Sequence, residues 1–182
     1  MKIFLFLFLL TASAHAAQKA SINLTPILGY EFVDKYTPTP HTHGRFIYGA
    51  VITVGYPLIA LESQYTHGSD SETFLQPLGF TTTDTSDRIK LGLRSSYNLN
   101  RAVSGHLRGG AESNQTQHQE FLGGAQTVNQ TTTVYHPYVG VGLGIWVTSW
   151  LQLNGEALGT IVNVNDLSQN EYETSVGVAF RF

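Results

Sequence analysis

Apolar and polar residues alternate with a period of two along much of this chain, which is the spacing of side chains on the two faces of a β-strand. The final segment shows the pattern most clearly. One face carries Tyr172, Thr174, Val176, Val178, Phe180 and Phe182, and the other carries Glu171, Glu173, Ser175, Gly177, Ala179 and Arg181. The pattern predicts a strand with one apolar face and one polar face.

Seven segments upstream show the same alternation, so the chain has eight predicted strands. The apolar faces of these seven begin at Ile22, Phe46, Ile59, Ile89, Val103, Tyr135 and Leu151. Four positions break the pattern: Ile47, Val51 and Leu158 fall on the polar side and Ser63 on the apolar side. An even number of antiparallel strands with one apolar face is typical of bacterial membrane barrels.

The connections between the predicted strands alternate in length. Short links fall at 56–58, 98–101 and 147–149, and long polar links at 34–44, 67–87, 114–133 and 163–170. Aromatic residues flank both kinds of link, as expected at membrane interfaces. We therefore predict an all-β fold, an eight-stranded antiparallel up-and-down transmembrane β-barrel with short periplasmic turns and four long external loops. A soluble barrel of lipocalin type would place its apolar residues inside instead.

The N-terminus has the features of a secretory signal peptide. Lys2 precedes an apolar run over residues 3–10, and Ala14 and Ala16 offer small residues for cleavage. The run is shorter than the roughly 20 residues of a membrane-spanning helix. We expect residues 1–16 to be the signal peptide and residues 17–182 to be the barrel.

Composition excludes several classes of protein. Charged residues make up 13% of the chain, against roughly 25% in soluble proteins. The net charge of −3 does not provide the basic face of a nucleic-acid-binding protein. The chain has no cysteine, so neither a disulfide framework nor a lipid anchor on cysteine is expected.

Three features carry a resemblance to a known family: the glycine-alternating strand at 138–145, Ala60-Leu61-Glu62 at the start of the third strand, and the terminal Phe180-Arg181-Phe182. On these features the chain resembles the small bacterial outer-membrane barrels of the OmpA/OmpX type, the outer-membrane β-barrel domains, over residues 17–182. The resemblance implies export to the bacterial outer membrane, among its lipids and lipopolysaccharide. It also implies that the outer-membrane insertion machinery reads a terminal signal, here Val176, Val178, Phe180 and Phe182. The chain lacks the peptidoglycan-binding domain of full-length OmpA, so cell-wall anchoring is not implied.

The polar faces carry charges of both signs in an interior that is only wide enough for side chains. The predicted inward charges are Glu31, Glu62, Glu112, Glu156 and Glu173 against Arg45, Lys90, Arg94, Arg108 and Arg181. Buried charges persist when they are paired. We expect a salt-bridge network that plugs the lumen, with Arg94 and Arg108 as its hubs. The same charges also fit a narrow gated ion channel, in which pairs exchange.

Three other motifs contain residue types that can carry out chemistry. The glycine run at 140–144 lacks the following helix that a nucleotide-binding loop needs, so we expect its glycines to make room in the lumen. His41, His43, His67 and His118 fall in the long links and could gather above the barrel as a zinc site; we expect solvated polar loops and assign no metal. His67-Gly68-Ser69-Asp70 holds the residue types of a lipid-modifying enzyme at the outer rim, although adjacency in sequence is not catalytic geometry.

The sequence thus predicts a structural and surface-interaction barrel, without cofactor or catalytic residues. We expect it to be a monomer. Its long links are rich in Thr, Ser, Gln and Asn and suit recognition on a rigid scaffold. Nothing in them names a ligand.

Overall fold

The computed structural model describes residues 20–35, 41–74, 79–122, 125–164 and 170–182. Within these ranges the chain forms eight strands: β1 (Ser21–Lys35), β2 (His41–Tyr56), β3 (Ile59–Phe74), β4 (Phe80–Asn98), β5 (Val103–Leu122), β6 (Ala125–Trp146), β7 (Leu151–Thr160) and β8 (Glu171–Arg181). Each strand pairs antiparallel with the next, and β1 also pairs with β8, so the sheet closes into a barrel. This confirms the predicted fold class. The expected signal peptide, residues 1–16, lies outside the described residues.

The two faces of each strand lie in different surroundings, as the alternation predicts. The outer wall is apolar, with Leu61, Leu91, Val141 and Leu143 all more than half exposed. The inner face is polar and buried. The exceptions also lie where they were predicted: Ile47, Val51 and Leu158 are buried inside, at 2%, 1% and 3% exposure, and Ser63 is exposed outside. No helix in the described ranges has the length and apolar character needed to cross a membrane.

The short periplasmic turns are held by side chains that cap free backbone amides. In the β4–β5 turn, Asn100 Oδ1 accepts hydrogen bonds from the amides of Ala102 and Val103, each at 2.8 Å. In the β6–β7 turn, Thr148 Oγ1 accepts from the amide of Leu151 at 3.0 Å. Asn and Thr commonly stabilise turns in this way.

On the external side the strands run further than the sequence predicted. Residues 67–74 and 80–87, predicted as a loop, pair in continuous register from His67↔Asp87 to Phe74↔Phe80. Most of the predicted loop at 114–133 likewise belongs to β5 and β6. Outside the hydrocarbon neither face of a strand needs to be apolar, so the alternation disappears although the strand continues. The threonines here favour β structure.

Candidate functional site

A ring of two arginines and two glutamates lies in the lumen. Glu62 is on β3, Arg94 on β4, Arg108 on β5 and Glu156 on β7, and each is less than 9% exposed. Arg108 contacts Glu62 at 2.5 Å through Nη2 and Glu156 at 2.6 Å through Nη1. Arg94 contacts the same two carboxylates at 3.3 and 3.1 Å. Each cation therefore bridges both anions.

Polar neighbours complete this central ring. Arg108 donates a hydrogen bond to Gln64 Oε1 at 2.6 Å and lies 5.5 Å from the centroid of the Tyr138 ring. His106 Nε2 lies 2.9 Å from Glu156 Oε1. Gln64 Nε2 in turn donates to Glu173 Oε1 at 3.0 Å. Gln64 thus joins the central ring to the charges above it.

An upper cluster of seven charged residues lies nearer the external end. Its members are Glu31, Arg45, Arg88, Lys90, Glu112, Glu171 and Glu173. Arg88 contacts Glu31 at 2.5 Å, Glu112 at 3.0 Å and Glu171 at 2.7 Å. Lys90 pairs with Glu173 and, at 3.2 Å, with Glu112. Four carboxylates here face three cations.

Arg88 is the main lumen residue that sequence reasoning missed. It adjoins the segment predicted as a loop, yet it is 3% exposed and contacts three carboxylates. One signal was available: Arg88 precedes the inward-facing Lys90 by two residues, so the two must share a face if the strand extends that far.

Arg181 lies apart from both groups of charges. Its guanidinium carbon is 5.5 Å from the centroid of the Trp146 ring, near the periplasmic end, and no carboxylate of the described residues pairs with it. A cavity of about 80 Å³ lies between Arg181 and Arg94, with a largely polar lining that includes Ser104 and Gln152. Polar cavities of this kind hold water. Arg181 was predicted to join the network because it shares the polar face of the last strand. The structure instead places it at the periplasmic rim of the barrel, beside Trp146.

The glycines of β6 face the bulky side chains of the lumen. A Cβ added at Gly140 would lie 3.1 Å from Cγ of Arg108, and one at Gly142 would lie 2.9 Å from Cγ of Glu156. These contacts are tighter than packed side chains normally allow. The missing side chains at Gly140 and Gly142 leave the space that the central ring occupies.

The external mouth holds a third group of charges above the outer aromatic residues. Lys35 pairs with Asp70, with Glu72 at 3.1 Å and with Asp84 at 2.7 Å. Burial opposes the charge of Lys35, but hydrogen bonds to Asp70 and Asp84 hold its pKa above the ordinary value. Burial also disfavours the Glu72 carboxylate, yet hydrogen bonds from Lys35 and His41 hold the pKa of Glu72 below its ordinary value. Lys35 and Glu72 are therefore both charged at neutral pH.

The four histidines of the predicted links do not all gather at one site. His41 and His43 both face Glu72. His118 lies 2.5 Å from Asp84, and although burial opposes its charge, hydrogen bonds to Asp84 and Glu120 raise its pKa. His67 is elsewhere, with Nδ1 at 2.9 Å from Asp87.

The residues of the enzyme alternative are not assembled. Ser69 lies 3.3 Å from Thr85 Oγ1, while the neighbouring His67 pairs with Asp87. Asp70 faces Lys35. A nucleophile must lie within hydrogen-bond reach of a base that a third group orients, and these contacts do not supply that arrangement.

Solved structures with a similar fold include bacterial surface and outer-membrane proteins. Neisserial surface protein A matches with a TM-score of 0.58 and 14% identity, covering 91% of this chain and 100% of its own. Ail, the attachment invasion locus protein of Yersinia pestis, solved in complex with the heparin analogue sucrose octasulfate, matches with a TM-score of 0.58 and 10% identity, covering 88% and 99%. OprG from Pseudomonas aeruginosa matches with a TM-score of 0.57 and 9% identity, covering 90% and 95%. At these identities the likeness concerns the fold.

No curated protein sequence matches this chain. The model of one protein family does match, and it spans residues 3–182, which include every strand described above. The match agrees with the closed eight-stranded barrel, its apolar outer wall and its charged interior. The chain belongs to the family of the outer membrane protein beta-barrel domain.

Proposed function

We propose that this outer-membrane barrel is a structural and surface-interaction protein whose lumen is closed by its own ion pairs. The observation that carries the proposal is the central ring. Glu62 is on β3 and Glu156 on β7, which lie on opposite sides of an eight-stranded barrel, and Arg94 and Arg108 contact both. The ring therefore crosses the whole width of the lumen.

The upper cluster supports closure at a second depth. Lys90 on β4 pairs with Glu173 on β8, again across the barrel. Arg88, also on β4, contacts Glu171 on β8 and Glu31 on β1. A lumen of eight strands has little width beyond that of its side chains. We infer that these two successive layers of crossing ion pairs close the lumen.

Conductance tests this proposal and separates it from a gated channel. We expect the protein, reconstituted in planar bilayers at neutral pH and moderate salt, to show no steady conducting state. The reason is that an ion would have to break buried charge pairs in order to pass. A stable open state of the unaltered protein would contradict closure and favour the channel.

The matched control removes the ring without leaving unpaired charges. The variant E62A/R94A/R108A/E156A deletes two cations and two anions together, so the net charge of the lumen does not change. The upper cluster still crosses the lumen in this variant, so we expect conduction only when R88A/K90A/E112A/E173A, which removes two more cations and two more anions, is combined with it. A combined variant that folds and still fails to conduct would show that the ion pairs do not close the passage.

The external strands support the surface-interaction part of the proposal. The β3–β4 and β5–β6 hairpins extend the barrel outwards and present a polar surface rich in threonine. The mouth holds four carboxylates, Asp70, Glu72, Asp84 and Glu120, and three cationic side chains that contact them, Lys35, Arg45 and His118. Ail was solved with a highly sulfated ligand; the acidic mouth of this chain favours neutral or cationic partners instead.

The apolar outer wall indicates which membrane components surround the barrel. Its exposed apolar residues suit hydrocarbon, and we propose that the protein sits as a monomer among outer-membrane lipids and lipopolysaccharide. Val176 is exposed on β8 and Phe182 directly after its end, and Phe180 stacks on Trp150 with ring centroids 6.3 Å apart. We propose that Val176, Val178, Phe180 and Phe182 are read by the insertion machinery during assembly.

A further inference from the structure

Three side chains that can ligate a metal ion converge at the external mouth, outside the two lumen clusters. His41 and His43 are on β2 and Glu72 is on β3, and their ligand atoms all lie within 4.8 Å of one another. His43 Nδ1 is 2.7 Å and His41 Nε2 is 3.2 Å from the same atom, Glu72 Oε1. All three side chains are partly exposed, so an ion can reach them from outside.

This donor set matches the chemistry of zinc. Two histidine nitrogens and one carboxylate oxygen are a common set of three protein ligands, with water in the fourth position. Bonds of about 2.1 Å at tetrahedral angles place neighbouring ligand atoms about 3.4 Å apart. The separations of 2.7 and 3.2 Å therefore need to open by less than about 1 Å. The two histidine nitrogens lie within 4.8 Å of each other, so small side-chain movements would bring all three ligands to an ion.

Neighbouring groups already orient two of the three ligands. Glu72 directs Oε1 towards the two histidines, and its Oε2 lies 3.1 Å from Lys35 Nζ. His43 presents Nδ1 to Glu72, while its Nε2 lies 3.5 Å from Asp70 Oδ2. A carboxylate on the far nitrogen of a histidine is the usual support of a metal-binding imidazole, because it fixes the ring and raises its basicity.

The surrounding charge also favours a divalent cation. Four carboxylates lie here, Asp70, Glu72, Asp84 and Glu120, and they outnumber the cationic side chains that contact them, Lys35, Arg45 and His118. The backbone ladder between β2 and β3 extends upwards only to Ile47↔Gly68. His41, His43 and Glu72 lie beyond that point, where side chains alone connect the two strands.

We propose that His41, His43 and Glu72 bind one Zn²⁺ ion, or a similar borderline divalent cation, which clamps β2 to β3 above the end of their backbone pairing. Asp70 supports His43 at Nε2, the ring nitrogen that does not face Glu72. None of the three ligands belongs to the central ring or the upper cluster, while the supporting Asp70 lies 3.8 Å from Arg45 of the upper cluster.

Titration of the purified full chain tests the proposal. The protein in detergent is stripped with a chelator, titrated with ZnCl₂ by calorimetry, and titrated separately with Co²⁺ to record the visible absorption of a tetrahedral site. We expect one Zn²⁺ per barrel. We expect H43Q and E72Q to bind at least about tenfold more weakly, and D70N about 10- to 100-fold more weakly, as is typical when a second-shell partner is lost.

The matched control is H67Q, because His67 pairs with Asp87 away from the three ligands. This variant should bind Zn²⁺ as the unaltered protein does. Heat-dependent gel mobility confirms that each variant is folded before titration. The proposal is overturned if the unaltered protein binds no Zn²⁺, or if H43Q and E72Q bind it as tightly as H67Q does.

Discussion

Replacement of Arg108 by alanine is expected to lower the free energy of unfolding by about 3–5 kcal/mol, the loss typical of a broken buried ion pair. The Arg108 guanidinium contacts Glu62 at 2.5 Å and Glu156 at 2.6 Å, and its side chain is fully buried. Without it, Arg94 is the only arginine left to both buried carboxylates. Urea titration of the barrel in lipid vesicles, followed by tryptophan fluorescence, measures the change.

Two variants separate this loss from a general effect of removing an arginine. Arg101 is exposed in the β4–β5 turn, so R101A should change the free energy of unfolding by less than about 0.5 kcal/mol. The double variant R108A/E62Q removes one cation and one anion, and it should be more stable than R108A alone. If R108A proves as stable as R101A, the guanidinium is not part of a buried network.

Replacement of Arg88 by alanine is the second large expected effect, again about 3–5 kcal/mol. The upper cluster holds four carboxylates and three cations, and Arg88 contacts three of those carboxylates, Glu31, Glu112 and Glu171. Its removal leaves four carboxylates with Arg45 and Lys90. The same urea titration measures the loss.

The balance of charges in the upper cluster predicts a smaller loss of stability for a matched variant, E112A. Glu112 is as buried as its partners, at 1% exposure, but E112A leaves three carboxylates with three cations. E112A should therefore destabilise the barrel less than R88A does, and R88A/E112A should recover part of the loss caused by R88A. Equal losses for R88A and E112A would mean that burial, rather than charge balance, governs this cluster.

The strands and their faces could be predicted because hydrocarbon and lumen impose opposite demands on alternate residues. Outside the membrane the two faces of a strand no longer lie in different surroundings, and the alternation of apolar and polar residues disappears. Thr83 and Gln117 lie in strands that continue outside the membrane, and there polar residues occupy both faces. The alternation therefore could not show that residues 67–87 form a hairpin, nor that Asp70 faces inwards with it.

It was harder to predict which charged residues pair across the lumen than to predict which side chains point into it. Alternation states that Glu62 and Glu156 point inwards, but the depth of each depends on the register between strands. Arg181 shows the limit: it shares the polar face of β8 with Glu173, yet it lies beside Trp146 near the periplasmic end. Similarly, His41 and His43 meet Glu72 only because β3 continues past its predicted end.

The most direct test of a closed, ion-paired lumen is the exchange of arginine side-chain protons with water, measured by NMR on the ¹⁵N-labelled barrel in micelles. A guanidinium held by two buried carboxylates should rotate slowly and exchange slowly. We predict separate, slowly exchanging Nη signals for Arg94 and Arg108, and a single averaged, fast-exchanging signal for the exposed Arg101. Fast exchange at all three arginines would show that water fills the lumen, and it would contradict the account.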